Sequence, residues 1–136
     1  MSTKIYLDTN VFVYAATNDE DVGKTARAFL EKTKNRAVEC ITSVMTLDEV
    51  LWVLKRLVGK ERAHELTAPL LAFPNLTIAD LTPAIMADAF NVYAASSLDP
   101  HDAVHLATMR AKNVKTIMTE DADFDKIKGV KRIKIE

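Results

Sequence analysis

The sequence is poor in the residues that cross-link, kink or loosen a chain. Its 136 residues include one cysteine, Cys40, three glycines and four prolines. A single cysteine excludes an intrachain disulfide framework and any zinc site built from several cysteines. The shortage of glycine and proline, beside 49% hydrophobic residues, excludes collagen-like, low-complexity and generally disordered chains. We therefore expect one domain over residues 1–136 that holds its core without cross-links.

Long apolar runs and a strong charge of one sign are also missing. No stretch approaches the roughly 18 consecutive apolar residues that a membrane span needs. Residues 1–4 lead into a short apolar stretch, and Asp8 then places a charge where a signal peptide would stay apolar. The net charge is -1, whereas a protein dedicated to non-specific duplex binding is usually basic. We expect a cytoplasmic protein with no membrane partner.

Short apolar strands alternate with helical segments along the chain. Pro69 is expected to kink or break a helix, and Pro83 and Pro100 to start two others. The alternation predicts an α/β fold with a mostly parallel sheet. Ligands bind such sheets beyond the carboxyl ends of the strands. We predict strands at 5–7, 38–41, 76–78, 116–118 and 131–135, and helices at 11–16, 24–34, 43–58, 61–73, 83–95 and 100–112.

Four acidic residues stand where such a site would form. Asp8 and Asp121 directly follow the first and fourth strands. Asp102 opens the last helix on an apolar stripe, and Glu49 lies on the helix after the second strand, where periodicity does not distinguish it from Asp48. Taken singly, each could instead cap a helix or a turn. Gathered together without cations they would repel one another and have raised pKa values, a cost that Mg²⁺ or Mn²⁺ removes.

In combination and in this order, the acidic motifs resemble the PIN-domain family, and in particular its VapC-type ribonuclease toxins. The resemblance covers essentially the whole chain. It implies a PIN-like three-layer fold, in which helices flank a mostly parallel five-stranded sheet. The residues that carry it are Asp8, Thr9 and Asn10 after the first strand, Glu49 on its helix, Asp102 within 102–107, and Thr119, Asp121, Asp123 and Phe124 after the fourth strand.

The resemblance also implies the chemistry, which is metal-dependent cleavage of RNA phosphodiesters with Mg²⁺ or Mn²⁺ as cofactor. Metal-assisted hydrolysis of this kind would leave a 5′-phosphate and a 3′-hydroxyl. The resemblance selects Glu49 over Asp48. The implied catalytic and metal-binding residues are Asp8, Glu49, Asp102 and Asp121, and the implied supporting residues are Asn10, Thr119, Asp99 and Asp123.

The charge is unevenly spread, and the end of the chain is basic. From Arg110 onward eight basic residues face five acidic ones, a surplus of three. Ordinary surface charge explains this surplus as well as a phosphate-steering patch does. Single-stranded or loop RNA suits an open acidic cleft better than a duplex. Our candidates for contacts with the RNA backbone are Arg110, Lys112, Lys115, Lys126 and Lys128.

Other enzyme classes share fragments of the sequence. Residues 23–25 resemble the end of a phosphate-binding loop, but Asn18 stands where the loop needs its first glycine. Phosphatases that use a phosphoaspartate need a second Asp where this chain has Asn10. His101 and His105 stand at the spacing of a zinc-binding pair, with no clear third ligand. We expect His105 to pack in the core or to lie on the surface.

The remaining alternatives concern partners and turnover. The resemblance to VapC-type toxins implies a VapB-like antitoxin as partner and a homodimer. The competing interpretation is a non-catalytic PIN-like module that binds RNA or a protein. Such a module would bind RNA whether or not a chelator is present and would cleave nothing with any metal. The intact set of four carboxylates favours the enzyme.

Overall fold

Five parallel strands form one central sheet in the computed structural model, which describes residues 3–136. Met1 and Ser2, which belong to the N-terminal segment discussed above, lie outside the described residues. The order across the sheet is β3-β2-β1-β4-β5, and every neighbouring pair is parallel. The predicted α/β architecture is confirmed. The strands are β1 (Lys4–Leu7), β2 (Glu39–Ser43), β3 (Leu76–Ala79), β4 (Thr116–Met118) and β5 (Lys131–Ile133).

Helices cover both faces of the sheet and make the predicted three layers. Along each strand, successive side chains point to opposite faces. Tyr6 and Ile117 therefore pack against one set of helices, whereas Leu7 and Met118 pack against the other. The first set is α5 (Pro83–Ala95) and α6 (Pro100–Ala111), and the second is α1 (Thr9–Thr17), α2 (Asp21–Lys34), α3 (Val44–Val58) and α4 (Lys60–Thr67).

Two short 3₁₀ helices, Ala68–Ala72 and Ala122–Lys126, complete the structure. The first of them replaces the end of the helix predicted at 61–73. Pro69 lies just beyond α4 and cannot continue its hydrogen-bond pattern. Within residues 3–136, no helix combines the length and the apolar character that crossing a membrane requires.

Local capping explains where α3 begins and ends. Ser43 lies at the end of β2, and its Oγ accepts a hydrogen bond from the backbone N–H of Met45 at 3.1 Å. The helix ends at Gly59, whose φ of 88° is a left-handed conformation that favours glycine. Because β2 runs into α3 without a loop, the first turns of α3 lie at the carboxyl edge of the sheet.

The last strand is shorter than predicted. β5 ends at Ile133 rather than at Ile135. The backbone N–H of Ile135 donates to Oε1 of Glu120 at 2.9 Å, so a side chain takes the place of a strand partner. The side chain of Ile135 is nevertheless fully buried in the core.

The strand order reverses at β1, and this reversal determines where a ligand-binding crevice can form. After β1 the chain builds β2 and β3 on one side, then returns to build β4 and β5 on the other. Ligand crevices of open α/β sheets form at such a reversal, beyond the carboxyl ends of the strands. The backbone N–H of Asp8 donates to the carbonyl of Met118 at 3.2 Å, so the segments that follow β1 and β4 lie side by side.

Gly23 has a structural role in the fragment that resembles a phosphate-binding loop. A Cβ at this position would lie 1.8 Å from the carbonyl oxygen of Asn18. The backbone N–H of Gly23 also donates to Oδ1 of Asn18 at 3.1 Å. The glycine therefore permits the close contact between the α1–α2 turn and the first turn of α2.

We expect Gly23→Ala to lower the free energy of unfolding by about 2–3 kcal/mol, because the added methyl group forces the two segments apart. Lys24→Ala, at an exposed position of the same turn, should change it by less than about 0.5 kcal/mol. Urea denaturation of the two variants measures both effects. Equal stability of the two variants would show that the turn adapts freely.

Candidate active site

Asp8 is held rigidly at the end of β1. Its Oδ1 accepts a hydrogen bond from the backbone N–H of Thr9 at 2.6 Å, and its Oδ2 accepts one from Oγ1 of Thr119 at 2.5 Å. Burial would raise the pKa of Asp8, but the charge of His105 and these hydrogen bonds outweigh burial and hold the pKa below its usual value. Asp8 therefore caps α1, as one interpretation of the sequence proposed, and is also an ionised carboxylate in the core of the site.

His105 lies fully buried between the carboxylates of Asp8 and Glu49. Its Nε2 is 3.1 Å from Oδ1 of Asp8 and 2.9 Å from Oε1 of Glu49, and its Nδ1 is 2.6 Å from the Tyr6 hydroxyl. Neither carboxylate contact has the alignment of a linear hydrogen bond, so the attraction is mainly ionic. Burial would lower the pKa of His105, but the Tyr6 hydroxyl and the two carboxylates raise it well above its usual value.

Sequence reasoning missed this role of His105, which we expected to pack in the core or to lie on the surface. His105 is buried, but it is also part of the acidic cluster. One signal was available, because His105 follows Asp102 by three residues on α6 and therefore shares a face with it. That spacing alone does not distinguish a site residue from a core residue.

Glu49 faces the site, whereas Asp48 faces solvent. The side chain of Glu49 is 17% exposed, and its Oε1 accepts a hydrogen bond from Oγ1 of Thr9 at 3.1 Å. The Nδ1 of His101 lies 3.4 Å from Oε2 of Glu49. Asp48 is exposed. The structure therefore distinguishes two residues that helical periodicity left equivalent, and it does so because α3 packs against α1.

Asp102 and Asp121 lie together beside Asp8. Burial, a hydrogen bond to Asp121 and the charge of Asp8 raise the pKa of Asp102 to about 8. Asp121 also caps the short helix Ala122–Lys126, since its Oδ1 accepts from the backbone N–H of Asp123 at 2.9 Å. Its own backbone N–H donates to Oγ1 of Thr119 at 3.0 Å. The cluster carries more negative charge than its one buried cation, His105, offsets.

The donor atoms of this cluster fit a hard divalent cation. Asp8 and Asp102 each offer a carboxylate oxygen, and these oxygens lie within 4.8 Å of one another. His105 lies equally close, but as the cation paired with Asp8 and Glu49 it has no free lone pair for a metal. Carboxylate oxygens are the ligands that Mg²⁺ and Mn²⁺ prefer. Burial, the hydrogen bond to Asp121 and the charge of Asp8 disfavour the ionised form of Asp102, and a bound cation would offset that cost. His101 and His105 do not form the paired face of a zinc motif, because His101 is exposed and the Nδ1 of His105 faces Tyr6.

The four residues to which the resemblance gives a supporting role differ in burial and in their contacts. Thr119 is buried and joins Asp8 to the segment of Asp121, as described above. Asn10 is half-buried in the first turn of α1. Asp99 is exposed at the start of α6. Asp123 is half-buried, and its Oδ1 lies 3.3 Å from Nζ of Lys126.

Arg132 braces the segment that carries Asp121, and no pattern in the sequence marked it out. Its Nε and Nη2 donate to the two carboxylate oxygens of Asp125, each at 2.9 Å. Its Nη1 donates to the backbone carbonyl of Thr119 at 3.3 Å. A fork of this kind is specific to arginine. It holds the turn after β4 against β5.

Comparison with known proteins identifies the family. The model of the PIN domain family matches residues 5–130, a span that contains all four clustered carboxylates. The chain belongs to the PIN domain family. The resemblance in the sequence is thereby confirmed.

Individual relatives are similar over most of the chain. Ribonuclease VapC23 of Mycobacterium tuberculosis (strain CDC 1551 / Oshkosh) is 30% identical over 121 residues, which cover 86% of this chain and 92% of that protein. The crystal structure of Mycobacterium tuberculosis VapC20, a toxin that cleaves the sarcin-ricin loop, matches with a TM-score of 0.75 and 21% identity over 90% of this chain and 93% of that one. VapBC2 from Rickettsia felis, bound to a DNA fragment from its promoter, matches with a TM-score of 0.74 and 18% identity over 97% and 98%. These structural matches show that the fold is shared.

We expect His105→Ala to lower the free energy of unfolding of this PIN domain by about 3–5 kcal/mol, because it leaves the buried carboxylate of Asp8 and the half-buried carboxylate of Glu49 without their cation. Tyr6→Phe removes only the hydroxyl that meets Nδ1 and should cost about 1–2 kcal/mol. Urea denaturation in EDTA compares the two. If the two variants lost equal free energy of unfolding, the ionic contact of His105 with the carboxylates would not be a major contribution to stability.

We expect Asp102→Asn to raise the melting temperature of the metal-free protein at pH 8 by several degrees. The pKa of Asp102 is about 8 in the folded protein, compared with 3.8 for an unperturbed aspartate. The folded state therefore binds a proton that the unfolded chain releases, and wild-type stability falls as pH rises between these values. Thermal melts in EDTA should show a gain that is small at pH 5 and larger at pH 8. A gain independent of pH would contradict this account.

Proposed function

We propose that this PIN domain is a metal-dependent endoribonuclease that hydrolyses RNA phosphodiesters, with Mg²⁺ or Mn²⁺ as its cofactor. The observation that carries the proposal is the convergence of Asp8, Asp102 and Asp121 at one edge of the sheet, with Glu49 linked to them through His105. The 30% identity to a ribonuclease over most of the chain supports RNA as the substrate. The alternative of a non-catalytic module has no comparable support in the geometry.

The residues that would hold the cation are Asp8, Glu49, Asp102 and Asp121. A bound cation supplies positive charge to the phosphate oxygens and makes a water molecule more acidic. Thr9 and Thr119 each donate to one oxygen of Asp8, which fixes the carboxylate and leaves further lone pairs for a ligand. His105 lies between Asp8 and Glu49 and sets the spacing of their carboxylates.

Asp102 and Asp121 are suited to the proton transfer. Both are half-buried, whereas Asp8 is buried, so they lie at the open side of the cluster. A general base must reach the water from which it takes the proton. We assign this role to the Asp102–Asp121 pair, whose side chains share a hydrogen bond. Asp99 and Asp123 would add negative charge at the rim, and Asn10 would orient a carboxylate or a water.

We further propose that the chain is the toxin of a toxin–antitoxin pair, acts in the cytoplasm and is held inactive by a VapB-like antitoxin. One chain of the Rickettsia felis VapBC2 structure shares its fold with nearly all of this chain, and this supports such a partner. A homodimer is part of the same proposal.

The test of the activity is cleavage of a labelled, structured RNA by the purified full-length chain with Mn²⁺, Mg²⁺ or EDTA. We expect cleavage only with a divalent metal, and products with a 5′-phosphate and a 3′-hydroxyl. Asp8→Asn, Asp121→Asn and Glu49→Gln should each lower the rate by at least about 100-fold, the scale expected when a transition-state-stabilising group is removed. Asp48→Asn is the matched control, because it removes an exposed carboxylate one residue from Glu49 and should leave the rate unchanged.

The outcomes separate the candidate functions. RNA binding that ignores metal, with no cleavage by the wild type, would favour the binding module. Cleavage that survives in all three site variants would indicate a contaminating ribonuclease or a site elsewhere in the chain. Equal losses in Glu49→Gln and Asp48→Asn would contradict the distinction that the structure makes between these neighbours.

A further inference from the structure

Two adjoining clefts lie beside α6, away from its acidic end. The larger has a volume of about 450 Å³ and the smaller of about 250 Å³, and they share Leu106, Arg110, Ile127 and Lys128. Asp102, Leu106 and Arg110 follow one another at intervals of four residues, so they form one stripe along α6. Arg110 lies about 12 Å along the helix axis from Asp102. One helix face therefore leads from the acidic cluster into the clefts.

The second wall of the larger cleft also begins at the acidic cluster. Asp121 binds the backbone of Asp123, and Asp123 pairs with Lys126, which lines this cleft. Ile127 and Lys128 follow directly. A strand of nucleic acid that leaves the acidic cluster along this wall meets Lys126 first and then Lys128.

The larger cleft offers the three kinds of contact that a nucleotide needs. Its volume falls within the range of about 300–1,000 Å³ for small-molecule sites. Cations for a phosphate, hydrogen-bonding groups for a base edge and an apolar surface for a base face all line the same space. They are respectively Arg110, Lys126 and Lys128; Asn91 and Ser97; and Ala95 and Ile127.

The cations of the clefts are free to bind an anion. Among residues 3–136, Lys115 and Lys128 take part in no ion pair within 4.0 Å. Arg110 and Lys126 have partners, Asp88 at 3.9 Å and Asp123 at 3.3 Å, but these pairs are exposed. Exposed ion pairs of this kind contribute little free energy, so a phosphate can compete for them.

We propose that the two clefts bind the RNA strand next to the cleaved phosphodiester, with one unstacked nucleotide in the larger cleft. The proposal rests on the proposed nuclease function and names the positioning residues for its substrate. An unstacked nucleotide requires single-stranded or loop RNA, because bases of a duplex are not available to a cleft of this size. Lys112, another cation that the sequence suggested for RNA binding, lines neither cleft and is assigned no part in the path.

The test is RNA binding by the full-length chain in EDTA, where the proposed cleavage stops. The probe is a fluorescein-labelled single-stranded RNA of about 12 nucleotides, within the span that one single-strand-binding domain covers. Fluorescence anisotropy at several salt concentrations gives the affinity and its salt dependence. The variants are Arg110→Ala with Lys128→Ala in one chain and, as a matched control, Lys112→Ala, which removes an exposed cation at the end of the same helix.

We expect the double variant to bind at least about 10-fold more weakly and to lower the slope of log K against log salt by about 1.4, or 0.7 for each lost phosphate contact. Lys112→Ala should bind as the wild type does. The same RNA annealed to its complement should bind more weakly than the single strand. Melting temperatures of all variants establish that they are folded.

The results distinguish this proposal from the nuclease proposal. If the double variant binds as the wild type does, or if Lys112→Ala loses as much affinity, the clefts are not the path of the strand, even when the wild type cleaves RNA. Equal affinity for the single strand and the duplex would overturn the placement of a nucleotide in the cleft. If the double variant alone loses affinity and no chain cleaves RNA with any metal, the clefts bind RNA but do not lie beside a cleaved bond. The nuclease proposal is then wrong.

Discussion

The contact of His105 with Asp8 and Glu49 is the interaction on which the rest of the site depends. Buried carboxylates are costly unless they are paired, and here one imidazole from α6 lies within 3.1 Å of both. The contact joins the end of β1, the first half of α3 and the middle of α6. Tyr6 adds a third contact to His105 from inside the sheet. Elements far apart in the sequence therefore meet at one buried charge, and their meeting fixes the geometry of the carboxylates.

The reversal of strand order at β1 explains why the acidic residues are left with too few cations. It places the segments after β1 and β4 side by side, so Asp8 and Asp121 approach through the shared hydroxyl of Thr119. α6 adds Asp102 from its first turn. The nearby arginine, Arg132, donates to Asp125 and to a backbone carbonyl rather than to the cluster. The excess charge is therefore a product of topology, and it makes the edge a candidate site for a cation.

Helix α6 has an acidic residue at one end and a basic residue at the other. Asp102 lies in the first turn of α6 and Arg110 in the last, an arrangement that the helix dipole favours at both ends. The acidic end faces the carboxyl edge of the sheet, whereas the basic end lines the clefts. A net charge of -1 conceals this division. Under the proposed function, a phosphodiester strand would need both ends of α6, because basic side chains must hold a strand that an acidic cluster alone would repel.

Local rules in the sequence predicted most of the fold. Ser43, Gly59 and Pro69 marked helix boundaries correctly, because capping and proline geometry act within a few residues. The end of β5 was wrong, because Glu120, 15 residues earlier, takes the backbone N–H of Ile135. Interactions that cross the chain in this way leave no local pattern.

For the site, the amino-acid sequence by itself determined which residue types are present and where they lie relative to the strand ends. It identified the four carboxylates as a set, but only through their order and their resemblance to a family. The resemblance selected Glu49 over Asp48, and the structure places Glu49 at the cluster. The tertiary structure alone decided that His105 is the buried cation of the cluster and that Lys112 lies outside the clefts. The physical reason is that burial and pairing of charge depend on distances between α1, α3 and α6, which only packing sets.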